Sequence, residues 1–196
     1  MGSRRAIAGA GSFMFKDYIK FYFLEDYLFN EVNKNFKRGY LKPEEFFAIV
    51  IWKSPRVKTR ILKEIKEKHL DICEITKKLN DFTQEKMKEK MKLLDDIKWV
   101  GLPIASAILT VCYPKDFTVV DRRAKNSLKN LNIPMKGNPA ENIDAYFSYL
   151  DFCKKEAKKQ NLSLRDFDRA LFGKDIYEGE KGLRELVNLY SKTIRR

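Results

Sequence analysis

Residues 97–109 read IKWVGLPIASAIL, and residues 117–124 read FTVVDRRA. Gly101 can adopt a positive φ at little steric cost, and Pro103 lacks an N–H group, which suits the first turn of a helix. The segment therefore predicts a tight turn followed directly by a helix. Apolar side chains of that helix recur at the spacing of one buried face, namely Ile104, Ala107, Ile108 and Val111.

Two features of this segment suit a compact helical hairpin. Ala105 and Ser106 are small enough for a preceding helix, expected at about 83–97, to approach closely. Backbone N–H groups at the turn and in the first helical turn have no partner within the helix, so a phosphate oxygen is a natural acceptor for them. An ordinary pair of core helices is the alternative explanation of this segment taken alone.

Asp121 ends a short apolar run, and a helical pattern follows it. An aspartate in that position most often caps the helix by accepting backbone N–H bonds. Arg122 and Arg123 are poorly placed at a helix start, since cations there oppose the helix dipole. Phosphate contacts and ion pairs to acidic neighbours both explain these two arginines.

The two segments resemble the helix-hairpin-helix motif of the base-excision DNA glycosylases, the HhH-GPD superfamily. The family pattern reads roughly L-P-G-V-G-R-K-T-A-x-x-x-L, then an apolar stretch, then V-D-T-H-V. The positions that match it are Val100, Gly101, Ala105, Leu109, Val120 and Asp121. Asp121 lies 18 positions after Pro103, which occupies the slot of the family's hairpin lysine, and this separation agrees with the family.

A second segment carries the same resemblance. Residues 44–54 read EEFFAIVIWKS and resemble the family's helix E-L-L-x-A-x-L-L-S-x-Q, whose end borders the lesion. The resemblance covers about residues 40–125 and implies an all-α fold of two helical lobes with the active cleft between them. It places lobe one at about 36–124 and lobe two at about 14–35 plus 125–196.

The resemblance also implies roles for individual residues. Asp121 is the expected catalytic carboxylate, which stabilises the oxocarbenium-like transition state as the N-glycosidic bond of an extruded nucleotide breaks. The residues expected to hold DNA are Val100, Gly101, Leu102, Arg122 and Arg123. The residues expected to border the base pocket are Trp52, Lys53, Ser54 and Arg56. A tryptophan that ends an apolar helix is more often part of the core, which is the alternative for Trp52.

Several departures from the family pattern leave the identity of the base open. Trp99 replaces the first hairpin glycine, and Ser54 replaces a glutamine that often fills the gap left by the flipped base. Pro103 stands where bifunctional members carry their Schiff-base lysine and has no amine, so the sequence supports a monofunctional enzyme and gives no support for lyase activity. Lys53 is the one substitute nucleophile to consider, although lysines at helix ends are usually solvated.

The overall charge agrees with a nucleic-acid partner. Forty Lys and Arg residues against 27 Asp and Glu give a formal net charge of +13. Basic domains of this kind commonly bind the phosphate backbone. We therefore expect a monomer that binds double-stranded DNA.

Other features of the sequence narrow the class of protein. Cys73, Cys112 and Cys153 lie far apart without a C-x-x-C motif, so we expect no disulfide framework, no metal and no cofactor. No stretch reaches the length of a membrane span and the N-terminus lacks a secretory apolar run, which indicates a cytoplasmic protein. Residues 1–13 read as an expression leader, and residues 14–196 form the expected single domain.

Two further helix starts are predicted in the second half of the chain. Asn138, Pro139 and Glu141 combine an N-cap, a proline in the first helical position and a capping-box glutamate. Ser163 opens another helix in a weaker form of the same pattern.

Three classes of function remain open from the sequence. The first is a monofunctional DNA glycosylase, the second a non-catalytic helix-hairpin-helix DNA-binding protein, and the third a basic helical protein that binds a protein partner. Salt titration of DNA binding separates the third class from the others, and a base-excision assay separates the first two.

Overall fold

The computed structural model describes residues 23–81, 83–130, 137–179 and 182–194, and this part of the chain is helical with no β-strand. Its α-helices are α1 (Leu24–Tyr27), α2 (Asn33–Asn35), α3 (Pro43–Lys53), α4 (Lys58–Glu67), α5 (Ile72–Lys77), α6 (Met87–Asp95), α7 (Gly101–Cys112), α8 (Arg122–Asn130), α9 (Ile143–Lys159), α10 (Leu164–Glu178) and α11 (Leu183–Ile194). A π-helical turn spans Leu28–Val32, and 3-10 turns span Phe36–Arg38 and Gln84–Lys86. The expectation of an all-α protein is confirmed, and the predicted leader, residues 1–13, lies outside the described residues.

Helix α7 lies in the centre of the core and packs against α3 and α6. Its residues 104–112 are all buried, so the helix is covered on every side and not along one stripe as the apolar spacing predicted. The small side chains of Ala105 and Ser106 are completely buried, as close helix packing requires.

The predicted turn before α7 is present. Gly101 has a φ of 58°, the left-handed conformation that glycine adopts without a steric penalty. The helix already begins at Gly101, so Pro103 lies in its first turn, where the missing N–H group breaks no helical hydrogen bond. Helix α6 and the 3-10 turn before it fall within the range of about 83–97 expected for the preceding helix.

Residues 117–121 are extended and connect α7 to α8. No neighbouring strand in the described residues pairs with them, and side chains bond to three of their backbone groups instead. The Val120 N–H donates to Ser106 Oγ at 3.1 Å. The hydroxyls of Tyr146 and Tyr149 donate to the carbonyl oxygens of residues 118 and 119, at 2.8 and 3.1 Å.

The predicted start of α9 is wrong by several residues. The Asn138 side chain accepts the Ala140 N–H at 3.2 Å and closes a single turn. The helix begins only at Ile143, after Asn142, whose side chain accepts the Ala145 N–H at 2.9 Å. Ser163 caps α10 as predicted, since its hydroxyl accepts the Asp166 N–H at 3.0 Å.

Helix α3 begins at Pro43, and Glu45 in its first turn fixes that start. The buried Glu45 carboxylate accepts the Lys42 N–H at 2.8 Å and Asn35 Nδ2 at 3.0 Å, and it forms an ion pair with Arg38. One carboxylate therefore joins the N-terminus of α3 to the segment before it.

Replacing this carboxylate should destabilise the fold. Glu45→Ala removes the partner of a largely buried guanidinium and of two N–H donors, so we expect a loss of about 2–4 kcal/mol in the free energy of unfolding, measured by urea denaturation. Glu44→Ala, one position earlier and exposed, is the matched control and should change stability by less than about 0.5 kcal/mol. Equal effects of the two substitutions would contradict the assigned role of Glu45.

Candidate active site

A cavity of about 250 Å³ lies between α1, the end of α3, the extended segment 117–121 and α10. This volume is at the small end of ligand pockets and suits a group the size of a nucleobase or a sugar. The charged side chains that line it are Glu25, Asp121 and Asp168 on the acidic side and Lys53, Arg165 and Arg169 on the basic side. Their formal charges cancel, although the whole chain is strongly basic.

Asp121 has a structural contact and also faces the cavity. Its Oδ1 accepts the Ala124 N–H at 2.8 Å, which is the N-cap contact for α8. Its Oδ2 lies 3.4 Å from Lys53 Nζ, and 27% of the side chain remains exposed. The cap therefore fixes one oxygen, and the other pairs with Lys53 at the cavity wall.

Lys53 is buried, which differs from the expectation for a lysine at the end of a helix. It is the last residue of α3, and only 10% of its side chain is exposed. Burial disfavours the ammonium and lowers the pKa of Lys53, although the carboxylates of Asp121 and Asp168 oppose the shift. The cavity thus holds an amine that gives up its proton more readily than a surface lysine does.

Arg165 connects three elements around the cavity. Its Nη2 lies 2.8 Å from Glu25 Oε1 on α1, and its Nη1 forms an ion pair with Asp168 one turn along α10. Its guanidinium also lies over the rings of Phe29 and Trp52, 4.7 and 5.2 Å from their centroids. Arg165 therefore fixes the cavity wall through charge and aromatic contacts together.

The carboxyls of Glu25 and Asp168 titrate differently. Burial opposes the ionisation of Glu25, but Arg165 and Arg169 outweigh it and hold the pKa of Glu25 below its ordinary value. Burial raises the pKa of Asp168 to about 7, and Asp121 adds to this effect while Arg165 opposes it. The cavity thus contains a carboxyl that changes its protonation near neutral pH.

The structure brings together only some of the expected pocket residues. Trp52 and Lys53 line the cavity. Ser54 ends α3 and Arg56 is exposed, and neither is among the residues that line the cavity.

The expected DNA-binding residues lie in two different settings. Val100 and Leu102 are buried, and Gly101 between them is partly exposed, so of these three residues Gly101 is the one that a ligand can reach. Arg122 is exposed. Arg123 forms an ion pair with Asp175, 3.1 Å between Nη1 and Oδ2, which agrees with the ion-pair explanation for this arginine.

Sequence reasoning missed the contribution of α10 and α1 to the site. Leu164, Phe167 and Leu171 form the buried face of α10, and Asp168 lies on that same face. An acidic residue within an apolar stripe at helical spacing indicates a buried carboxyl that needs a partner, so Asp168 could have been identified from the sequence. The partner Arg165 and the α1 residue Glu25 carry no comparable signal, since charged residues in such positions are usually solvated.

Comparisons with known protein families, with curated proteins and with solved structures gave no match. None of the described helices combines the length and the apolar content needed to span a lipid bilayer. Within the same residues, no group of three His, Cys, Asp or Glu side chains is arranged to hold a metal ion. The functional argument therefore rests on the residues of the cavity.

The raised pKa of Asp168 predicts a specific dependence of stability on pH. Between about pH 4 and pH 7 the folded state keeps the Asp168 proton and the unfolded state releases it, so this residue's contribution falls as pH rises through that window. The test compares the free energy of unfolding of the protein with that of Asp168→Asn at each pH. The difference, protein minus variant, should fall by up to about 1.4 kcal/mol per pH unit between these limits and level off above them.

Urea denaturation at a series of pH values measures this difference. Asp151→Asn, at an exposed position of α9, is the control and should change stability by less than about 0.5 kcal/mol. A pH-independent difference between the protein and Asp168→Asn would mean that Arg165 keeps Asp168 ionised throughout.

Proposed function

We propose that this protein is a DNA glycosylase, which turns a damaged or modified nucleotide out of the duplex and hydrolyses its N-glycosidic bond. The observation that carries the proposal is the Asp121 carboxylate, which is fixed through its Oδ1 and presents its Oδ2 to a small cavity. Its position after the 97–109 hairpin segment agrees with the resemblance to HhH-GPD glycosylases. In this proposal the cavity lies between the two lobes of that fold.

The charge balance of the cavity suits this reaction. Positive charge develops on the sugar as the glycosidic bond breaks, and the Asp121 carboxylate stabilises it and orients the attacking water. The acidic side chains of Glu25 and Asp121 offset cations of the cavity and so limit their repulsion of the sugar, even when Asp168 holds its proton. The phosphates bind outside it, where the net charge of the chain favours them.

Asp168 gives the same cavity a proton donor. With a pKa of about 7, this carboxyl is protonated in a substantial fraction of molecules at neutral pH. A protonated carboxyl can donate to the departing base, which leaves more readily as a neutral group. In this proposal Asp168 acts as the acid and Asp121 as the electrostatic stabiliser, so two carboxyls of one cavity have different roles.

Backbone groups at the start of α7 supply the expected phosphate contact. Gly101 is the first residue of the helix and is partly exposed, and no side chain caps this helix start, so its N–H group is available to an anion. Such a contact positions the duplex without reading its sequence.

The carboxylate test is Asp121→Asn. Asparagine caps helices about as well as aspartate, so the fold and the DNA affinity should persist while the negative charge opposite the sugar is lost. We expect single-turnover excision from a panel of lesion-bearing duplexes to fall by about 100-fold or more. Strand breaks at the excised sites are revealed with alkali on a denaturing gel.

Asp144→Asn is the matched control, because Asp144 also lies in the first turn of a helix and pairs with a lysine, 2.6 Å from Lys88 Nζ. This variant should excise as fast as the parent protein. Unchanged excision by Asp121→Asn would reduce Asp121 to a helix cap. Salt-dependent DNA binding with no excision by the parent protein would favour the non-catalytic DNA-binding alternative.

A second activity, cleavage of abasic DNA, is favoured by the burial of Lys53 beside Asp121. A neutral amine is a nucleophile, and burial moves Lys53 toward that form. The ammonium releases its proton to water, and the Nζ lone pair then bonds to C1′ of the ring-opened abasic sugar. The aldehyde oxygen leaves as water and an imine forms.

Strand cleavage follows from that imine with water alone. Water takes the proton from C2′, a double bond forms between C2′ and C3′, and the 3′ phosphate leaves with the electron pair of the C3′–O bond. Water hydrolyses the imine and returns the free amine of Lys53. Lys53 on α3 thereby takes the role of the lysine that bifunctional members of the family carry at the position of Pro103.

Borohydride trapping tests this second activity. Reduction of the imine should give a stable covalent complex with an abasic-site duplex, and mass spectrometry of the digested complex should locate the sugar on Lys53. Lys53→Arg is the control, because it keeps the charge beside Asp121 but forms no imine, so the trapped complex should disappear. Absence of a trapped complex with the parent protein, or a complex located elsewhere, would refute the role of Lys53.

A further inference from the structure

Trp99 occupies a backbone position that normally requires glycine. It is the third residue of a turn closed by the Val100 N–H and the Ile97 carbonyl, 2.9 Å apart, and its φ is 74°. A positive φ in this turn position favours glycine, because a side chain there meets the neighbouring backbone. A bulky aromatic residue in this conformation marks a strained site, and such strain concentrates at functional positions.

Burial of the indole does not offset this strain. Ile97 and Val100 on either side of Trp99 are buried and anchor the turn, whereas 45% of Trp99 is exposed. The ring therefore projects from a rigid hairpin two residues before the start of α7.

Two cations lie beside the exposed ring. The Arg60 guanidinium is 4.9 Å from the ring centroid, and Lys98 Nζ is 5.7 Å from it. Neither cation forms an ion pair with an acidic side chain in the described part of the chain. The surface thus combines a flat aromatic ring with two positive charges that no carboxylate neutralises there.

We propose that Trp99, Arg60 and Lys98 form a nucleotide-binding platform for the DNA strand, an inference that rests on the proposed function. An unstacked nucleotide takes the place of the Arg60 guanidinium over the indole, and its flanking phosphates pair with Arg60 and Lys98. Interleaved aromatic and basic side chains are the arrangement that binds a nucleic-acid strand without reading its sequence. The Trp99 side chain, which strains the turn, is thus the one that contacts the nucleotide.

Trp99→Gly separates this role from a structural one, because glycine relieves the backbone strain. The thermal midpoint should stay the same or rise, while the affinity for a fluorescently labelled duplex, measured by anisotropy, should fall about tenfold. Trp99→Phe keeps an aromatic ring and should retain most of the affinity. The chain has two tryptophans, and the part of the emission that DNA quenches in the parent protein but not in Trp99→Phe reports the stacked indole.

The salt dependence of binding tests the two cations separately. Arg60→Gln and Lys98→Gln should each reduce the slope of log affinity against log salt by about one, whereas Trp99→Gly should leave the slope unchanged. Equal affinity of Trp99→Gly and the parent protein would overturn the platform and leave the proposed glycosylase intact. A parent protein that binds no DNA would overturn both.

Discussion

The buried segment 117–120, which leads to Asp121, is the constraint on which the site depends. Its backbone cannot pair with a sheet and has to be satisfied inside a helical core, where an unpaired polar group is costly. Ser106 on α7 and the hydroxyls of Tyr146 and Tyr149 on α9 supply the bonds. Because these contacts come from two sides, they fix the position of Asp121 relative to the turn at the start of α7.

Arg165 extends this fixed geometry to the opposite wall of the cavity. A guanidinium that pairs with Glu25 and Asp168 and also lies on Trp52 has little freedom to move, because each contact restricts a different direction. Catalytic and binding groups act best when surrounding contacts hold them before the ligand arrives. The cavity is preorganised in this sense on the α10 side as well as on the Asp121 side.

Local signals in the sequence predicted much of the fold and less of the site. Gly101 and Ser163 predicted the starts of α7 and α10, because a turn glycine and a helix cap act within one turn of the chain. The helix start predicted at Asn138 was wrong, since a residue that caps helices well also fits an isolated turn. Tertiary contacts determined that the helix starts after Asn142. The Arg165 network joins residues distant in the chain, and pairings of that kind leave no local pattern.

Several features of this protein oppose stability, and their location is itself an argument for function. A lysine that is 10% exposed and a carboxyl whose pKa is raised to about 7 both disfavour the folded state near neutral pH. Both side chains line the same cavity as Asp121. A core selected for stability alone would hold apolar side chains of similar volume there, since such replacements of buried charges are often neutral or stabilising. Burial of these charged groups lowers the stability of the fold, and the well-packed core around α7 offsets that loss. This is the usual relation between a scaffold and its reactive site.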